Sequence, residues 1–280
     1  MKKGINYWAF PPGSDGSPID PVEAMKRAKK LGFDCFEHTV EATGLISRTT
    51  IREQAVAVRS EADRIGIELL TVCSGLAWSE SPTHPDPAVR RSAVETNLKM
   101  LELCSWLGVH TLLYVPGMVS AEFVPDFPPQ PYVEVERRAR ESIEMLVQTA
   151  ERLKVTVAVE NVWNRFLLSP VEMRDFVDSF GSDYVKCYFD VGNCISYGHP
   201  TDWIRTLGAR IAAVHMKDFK VSIGNLDGFV DLLAGDADYP KVMAAFREID
   251  YDGPYTAEIL PGRDGSAEKA IAALRVVEAY

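Results

Sequence analysis

The chain has 280 residues, 46% hydrophobic and 25% charged, with a formal net charge of −10 at pH 7. This is ordinary globular usage, long enough to bury a full core; its acidity excludes nucleic-acid backbones and anionic membrane surfaces as expected partners, because both need a basic face. The start, MKKGINYWAFPPG, has no apolar run of signal length before Pro11 and Pro12. No other run approaches the roughly 20 apolar residues of a membrane span. The five cysteines (Cys35, Cys73, Cys104, Cys187 and Cys194) include no C-x-x-C pair. We therefore expect reduced, mostly buried thiols in a cytoplasmic protein.

Along the chain, short apolar or β-branched runs alternate with amphipathic stretches. GINYW (4–8) is followed by IDPVEAMKRAKKLGF, where Asp20 is a helix N-cap, Pro21 suits the first helical position and Gly32 lies just past the end. CFEHTV (35–40) and IELLTVCS (67–74) are the next strands. HPDPAVRRSAVETNLKMLELCSWLG repeats the cap-and-exit pattern from Asp86 to Gly108. TLLYVPG (111–117) then runs into PGMVSAEFVPDFPPQPY (116–132), an insert with five prolines that is long for a connection of this kind. It is either a semi-rigid lid or a packing or oligomer loop. YVEVERRARESIEMLVQTAERLK carries Ile143, Leu146, Val147 and Ala150 at helical spacing. After the strand TVAVENV (156–162), LSPVEMRDFVDSFG reads as a capping box of Ser169 with Glu172, closed by Gly181. VKCYFDVGN (185–193), IAAVHMKD (211–218) and YTAEIL (255–260) complete the strands, with DADYPKVMAAFREI and SAEKAIAALRVVEAY as the last two helices.

Eight strand–helix units with no break in composition favour one α/β domain over residues 1–280, a closed (β/α)8 TIM barrel whose active face lies at the C-terminal ends of its strands. An open doubly wound sheet is the alternative. It would ordinarily show a glycine-rich turn after the first strand, and NYWAFPPG is not one.

The fifth predicted strand ends in Glu160, the sixth in Asp190, the seventh in His215 and the eighth in Glu258. Each alone is an ordinary rim side chain. Four in succession are a different matter, because three carboxylates in an apolar barrel mouth repel one another unless a cation lies between them. Three carboxylates and one imidazole form a fairly hard ligand set, suited to Mn²⁺, Mg²⁺ or Co²⁺.

The order Glu, Asp, His, Glu at these strand ends, with the stretches VENVWNRF, YFDVGN, VHMKD and YDGPYTAEI, resembles the xylose isomerase-like sugar isomerase/epimerase superfamily. Within it the chain is most similar to D-tagatose/D-psicose (allulose) 3-epimerases and sugar-phosphate epimerases. The resemblance implies one divalent metal, Mn²⁺ first, held by Glu160, Asp190, His215 and Glu258. It also implies proton transfer by Glu160 and Glu258, and a homodimer or homotetramer. The chain departs from the free-sugar epimerases at Asn193 (a histidine there), Val221 (an arginine) and Leu167 (a glutamate), positions that contact sugar hydroxyls in the relatives. Lys217, Lys220 and Arg263 are candidates for holding a phosphate or sugar carboxylate instead, Arg263 in the turn PGRDGS near where barrels often bind phosphate. Trp8, Trp78, Trp163 and Phe166 are candidate apolar walls. Glu37 and His38 end the second predicted strand, within reach of a substrate or simply paired at the rim.

Such a site fits a metal-dependent 3-epimerase of a ketose or ketose phosphate. O2 and O3 chelate the ion, which acts as a Lewis acid and stabilises an enediolate, while one carboxylate works on each face of C3. The same centre also suits an aldose–ketose isomerase or a keto-sugar or keto-cyclitol dehydratase (a lyase). A non-catalytic sugar-binding barrel would be favoured by loss of a ligand or base, and none is lost. An endonuclease-like role needs more than five histidines and a basic face.

Overall fold

The computed structural model describes residues 1–12, 16–259 and 266–280. The strands are β1 (Lys2–Asn6), β2 (Cys35–Thr39), β3 (Glu68–Cys73), β4 (Thr111–Tyr114), β5 (Thr156–Glu160), β6 (Val185–Asp190), β7 (Ile211–Met216), β8 (Asp218–Phe219), β9 (Phe229–Val230) and β10 (Pro254–Ala257). Eight of them close a parallel barrel in the order β1-β10-β7-β6-β5-β4-β3-β2, and β8 and β9 form a separate antiparallel ribbon. Around the barrel lie α1 (Pro21–Leu31), α2 (Arg52–Ile65), α3 (Pro87–Leu107), α4 (Tyr132–Leu153), α5 (Pro170–Asp178), α6 (Pro200–Leu207), α7 (Tyr239–Glu248) and α8 (Ser266–Glu278). The sequence patterns single out six of these helices; α2 and α6 emerge only in the fold, α6 being a short element of 8 residues. No helix among the described residues is long and apolar enough to cross a membrane.

Local chemistry sets the helix ends. Asp20 accepts from the backbone N–H groups of Val22 and Glu23 at 2.9 and 3.1 Å, and Asp86 accepts from Ala88 at 2.8 Å, each followed by a proline that needs no partner. Ser169 caps α5 as expected, accepting from Glu172 N at 3.2 Å; the Glu172 carboxylate, however, reaches back to Leu168 N rather than to the cap residue. Helix α5 stops at Asp178, earlier than Gly181 implies.

The core has two layers. A large belt of buried side chains, among them Phe36, Phe189, Trp203 and Phe246, joins barrel to helices. A smaller cluster of Cys73, Leu113, Val115, Ala158, Tyr188 and Ala213 fills the barrel itself. Side chains alternate across each strand, so Ala158 and Glu160, Tyr188 and Asp190, and Ala213 and His215 share the inner face. Alanines at two of these positions leave room for the rings of Tyr188 and His215, whose centroids are 4.4 Å apart. All five cysteines are free and buried.

Candidate metal centre and its cavity

Register brings the four strand-end side chains together. Asp190 on β6 stands directly beside His215 on β7, Glu160 ends β5, and Glu258 follows β10 by one residue. Their ligand-competent atoms all lie within 4.8 Å of one another, and all four residues are buried or nearly so. His215 Nδ1 is 3.1 Å from Glu258 Oε2, 3.4 Å from Glu160 Oε1 and 4.0 Å from Asp190 Oδ2.

The other ring nitrogen is committed elsewhere. His215 Nε2 lies 2.8 Å from Glu37 Oε1, and the Tyr188 hydroxyl donates to Glu37 Oε2 at 2.6 Å. A carboxylate at that distance requires the proton on Nε2, which orients the ring and aims Nδ1 at the carboxylates. Glu37 is thus wholly buried beneath the histidine, not at the rim. Sequence reading paired it with His38; strand alternation separates them. His38 turns outward, edge-on to Phe36 at 5.0 Å, away from the cavity, and burial lowers its pKa to about 4.

Asn161 and Asn193 fix the strand ends. Asn161 exchanges two 2.8 Å hydrogen bonds with the backbone of Asp190. Asn193 donates its N–H to Asp190 Oδ1 at 2.7 Å and its amide to Asn161 O at 2.9 Å. Gly192 lets the β7 end approach, since a Cβ there would meet Lys217 Cβ at 2.6 Å and its backbone at 2.9 Å. Lys217, two residues beyond His215, places Nζ 2.5 Å from Glu258 Oε2 and 3.3 Å from Asp190 Oδ2. Asp218 accepts from the N–H groups of Gly235 and Ala237, both at 3.0 Å, and so pins the long loop before α7.

Electrostatics differ among the carboxylates. Burial raises the Asp190 pKa to about 7, against the pull of Lys217, and burial also raises that of Glu160. At Glu258 burial acts upward too, but Lys217 and His215 outweigh it and hold the carboxyl low. For His215, burial is overcome by the charges of Glu37 and Glu258, which raise its pKa.

The donor set fits a divalent cation. Asp190 Oδ2 and Glu258 Oε2 are buried, and their partners are cationic or imidazole nitrogens, Lys217 Nζ for both and His215 Nδ1 for Glu258. Three oxygen donors and one nitrogen, all nearly dry, match a hard ion of the Mn²⁺ or Mg²⁺ class.

A cavity of about 370 Å³ opens from this cluster, with Glu160, Glu258, Lys217 and Asn193 on its floor. Trp8, Trp78 and Trp163 form walls as expected, joined by Leu113, Val115, Leu226, Phe123 and Phe229. Phe123 belongs to the proline-rich insert and meets Trp78 edge-on at 4.6 Å. The insert is pinned: Val119 N donates to Asn164 O at 2.9 Å and Asn164 donates its amide to Gly117 O at 2.7 Å. Sequence reading missed Phe229, carried by the β8–β9 ribbon; the turn residues Gly224-Asn225 and Asp227-Gly228 inside an apolar run were its signal. Phe166 is core, packed between Tyr132 and Phe176, and lines no cavity. Lys220 is bound to Asp236 on an exposed loop. Arg263 lies outside the described residues.

Comparison with known proteins gives a consistent result. Residues 25–278 match the family model described as Xylose isomerase-like TIM barrel. The chain is 25% identical over 241 residues to the L-ribulose-5-phosphate 3-epimerase UlaE of Escherichia coli O1:K1 / APEC, covering 85% of this chain and 81% of that protein. Its fold is similar to a crystal structure of D-psicose 3-epimerase in the presence of D-fructose, with a TM-score of 0.78 at 21% identity, over 98% of this chain and 90% of that one. It is likewise similar to apo 3-keto-D-glucoside 4-epimerase, YcjR, from E. coli, with a TM-score of 0.79 at 17% identity over 100% of both chains.

Proposed function

Because the chain belongs to the xylose isomerase-like TIM barrel family, we propose that it is a divalent-metal-dependent 3-epimerase of a ketose or ketose phosphate, with Mn²⁺ as the first candidate ion. The observation that carries this reading is the cluster of Glu160, Asp190, His215 and Glu258, within 4.8 Å of one another on four neighbouring strands. Sugar epimerases among its relatives and fold neighbours support it.

When bound, the cation supplies Lewis acidity to a ketone and its adjacent hydroxyl. The protein's own groups do the rest. Glu160 and Glu258 close the two ends of the ligand arc, so they approach a chelated sugar from different sides. One carboxylate takes the C3 proton; the C–H electron pair passes into the C2–C3 bond and onto the carbonyl oxygen. The carboxyl on the opposite face then returns a proton to C3, and the configuration inverts. Glu37 holds the His215 ring, Asn161 and Asn193 hold Asp190, and the aromatic walls exclude water.

Proton NMR in D₂O tests the reading. With Mn²⁺ present, a panel of ketoses and ketose phosphates should include a compound whose C3 proton exchanges and whose 3-epimer accumulates. Labelling at C1, or loss of water, would assign the aldose–ketose isomerase or dehydratase instead.

We also propose a homodimer or homotetramer in the cytoplasm. The free thiols fit a reducing compartment. Val133, Leu168 and Val171 are exposed apolar side chains, and the Tyr132 hydroxyl ties their segments together by accepting from Leu167 N at 3.0 Å. Light scattering should give about two or four times 31.1 kDa; a particle of one chain's mass would overturn this.

A further inference from the structure

The proline-rich insert between β4 and α4 is a folded unit of its own. Gln130 N donates to Val119 O at 2.9 Å and draws its two ends together. Met118, Ala121 and Phe127 form a small core inside it, and Trp78 packs both against that core and against the cluster that fills the barrel. A compact loop with its ends close together is packed by its own side chains, so its anchors decide where it sits.

One anchor is Thr83, ahead of α3, whose hydroxyl accepts from Met118 N at 3.0 Å. The other is Asn164, just beyond Glu160 and wholly buried. Its backbone oxygen accepts from Val119 N at 2.9 Å and from Ser120 N at 3.4 Å, and its side-chain amide donates to Gly117 O at 2.7 Å. Its side-chain oxygen accepts from Phe166 N at 3.0 Å and so tightens the turn in which Asn164 stands. That turn is strained: φ is 55° at Arg165 and 56° at Leu167, a left-handed conformation that is costly for any residue but glycine. Leu167 N is secured by the Tyr132 hydroxyl at 3.0 Å, where the insert enters α4, and the Arg165 guanidinium lies 3.4 Å from Glu122 of the insert. A strained turn persists where its surroundings over-determine it, and these bonds run to the insert and its exit.

We infer that Asn164 is a positioning residue: it keys the insert to the end of the strand that carries Glu160, and so fixes Phe123, edge-on to Trp78 at 4.6 Å, as a standing wall of the cavity. The insert is thus set before a ligand arrives, and binding is spared the cost of ordering it. The inference rests on the reading that this cavity holds the substrate of a ketose epimerase.

Two substitutions separate the bonds. Asn164→Ala removes both side-chain contacts, whereas Asn164→Asp keeps the acceptor for Phe166 N and loses only the donor to Gly117 O. Both are compared, Mn²⁺-loaded, with Phe123→Ala and with the Phe123→Ala, Asn164→Ala double variant. Hydrogen–deuterium exchange read by mass spectrometry should speed up roughly tenfold over residues 117–130 in both Asn164 variants, while residues 156–160 and 185–190 and the metal content match wild type. D-fructose and D-fructose 6-phosphate serve as kinetic probes. For whichever is turned over, Asn164→Ala should raise KM about tenfold with kcat within about threefold of wild type. Phe123→Ala should raise KM as well, and the double variant no further than the larger single effect, because both act through one wall. Unchanged exchange over 117–130, faster exchange throughout the barrel, KM effects that multiply, or failure of both Asn164 variants to fold would each overturn the inference. Turnover of neither probe counts against the epimerase reading alone, and the exchange pattern then decides the role of Asn164.

Discussion

The barrel mouth has two unlike halves. On one side β5, β6, β7 and β10 lead into Glu160, Asp190, His215 and Glu258. On the other, β1 to β4 lead to Trp8, Ser74 and Val115, with Cys73 and Leu113 below. The backbone is the same repeated unit throughout. The difference lies in which side chains fall on the inner face, and it separates two tasks: one half holds charge, the other shapes an apolar space. Across the barrel interior, Glu37 of β2 links the two halves by reaching the His215 ring and the Tyr188 hydroxyl.

The largest expected effect comes from breaking the charged half. Asp190→Ala and His215→Ala should each lower metal content from about one ion per chain to near zero, and with it the thermal stabilisation that metal adds. Dialysis followed by elemental analysis checks this, and unchanged content in both variants would refute the ligand set.

The two buried histidines sharpen the contrast next. His215 is surrounded by carboxylates, whereas His38, behind the apolar half, is held neutral with its pKa near 4 rather than 6.5. Below pH 6.5 the unfolded chain takes up a proton that folded His38 refuses. His38 therefore costs no stability above that pH, and stability falls as pH drops from 6.5 toward 4, by roughly 3 kcal/mol at the limit. Denaturant titrations of His38→Leu across this range should show a shallower slope than wild type; identical slopes would contradict the assignment.

Glu37→Gln tests the crossing point. The variant keeps the shape but weakens the hold on His215, so metal affinity should fall about 10–100-fold. Trp78→Ala should do the converse, raising KM by roughly tenfold while leaving metal affinity unchanged, the pattern of lost uniform binding.

The charged half was the more legible in sequence. A strand that ends in an acid, repeated with one histidine over four units, is a pattern that barrel topology turns into a cluster. The helix caps at Asp20 and Asp86 were legible for a similar reason, being set within a few residues. The apolar half was not, since its walls come from segments with no regular period. Phe123 arrives from the proline-rich insert and Phe229 from a short ribbon. The predicted strands also ran too far: TVAVENV and VKCYFDVGN continue their apolar pattern past Glu160 and Asp190, where side-chain hydrogen bonds from Asn161 and Asn193 replace the ladder. His38 and Glu37 look equivalent as neighbours in sequence, and only the alternation of β2 decides that Glu37 turns inward.

The central claim is that Glu160 and Glu258 serve opposite faces of one immobilised sugar, and solvent exchange tests it most directly. Glu160→Gln and Glu258→Gln are prepared with metal content verified, and each is given both 3-epimers of the active ketose in D₂O. The account predicts that metallated Glu258→Gln exchanges the C3 proton of only the epimer whose proton faces Glu160, and that Glu160→Gln shows the reverse preference, because each carboxylate reaches one face alone. Equal exchange of both epimers by both metallated variants would mean that one group serves both faces, and would contradict the two-base mechanism.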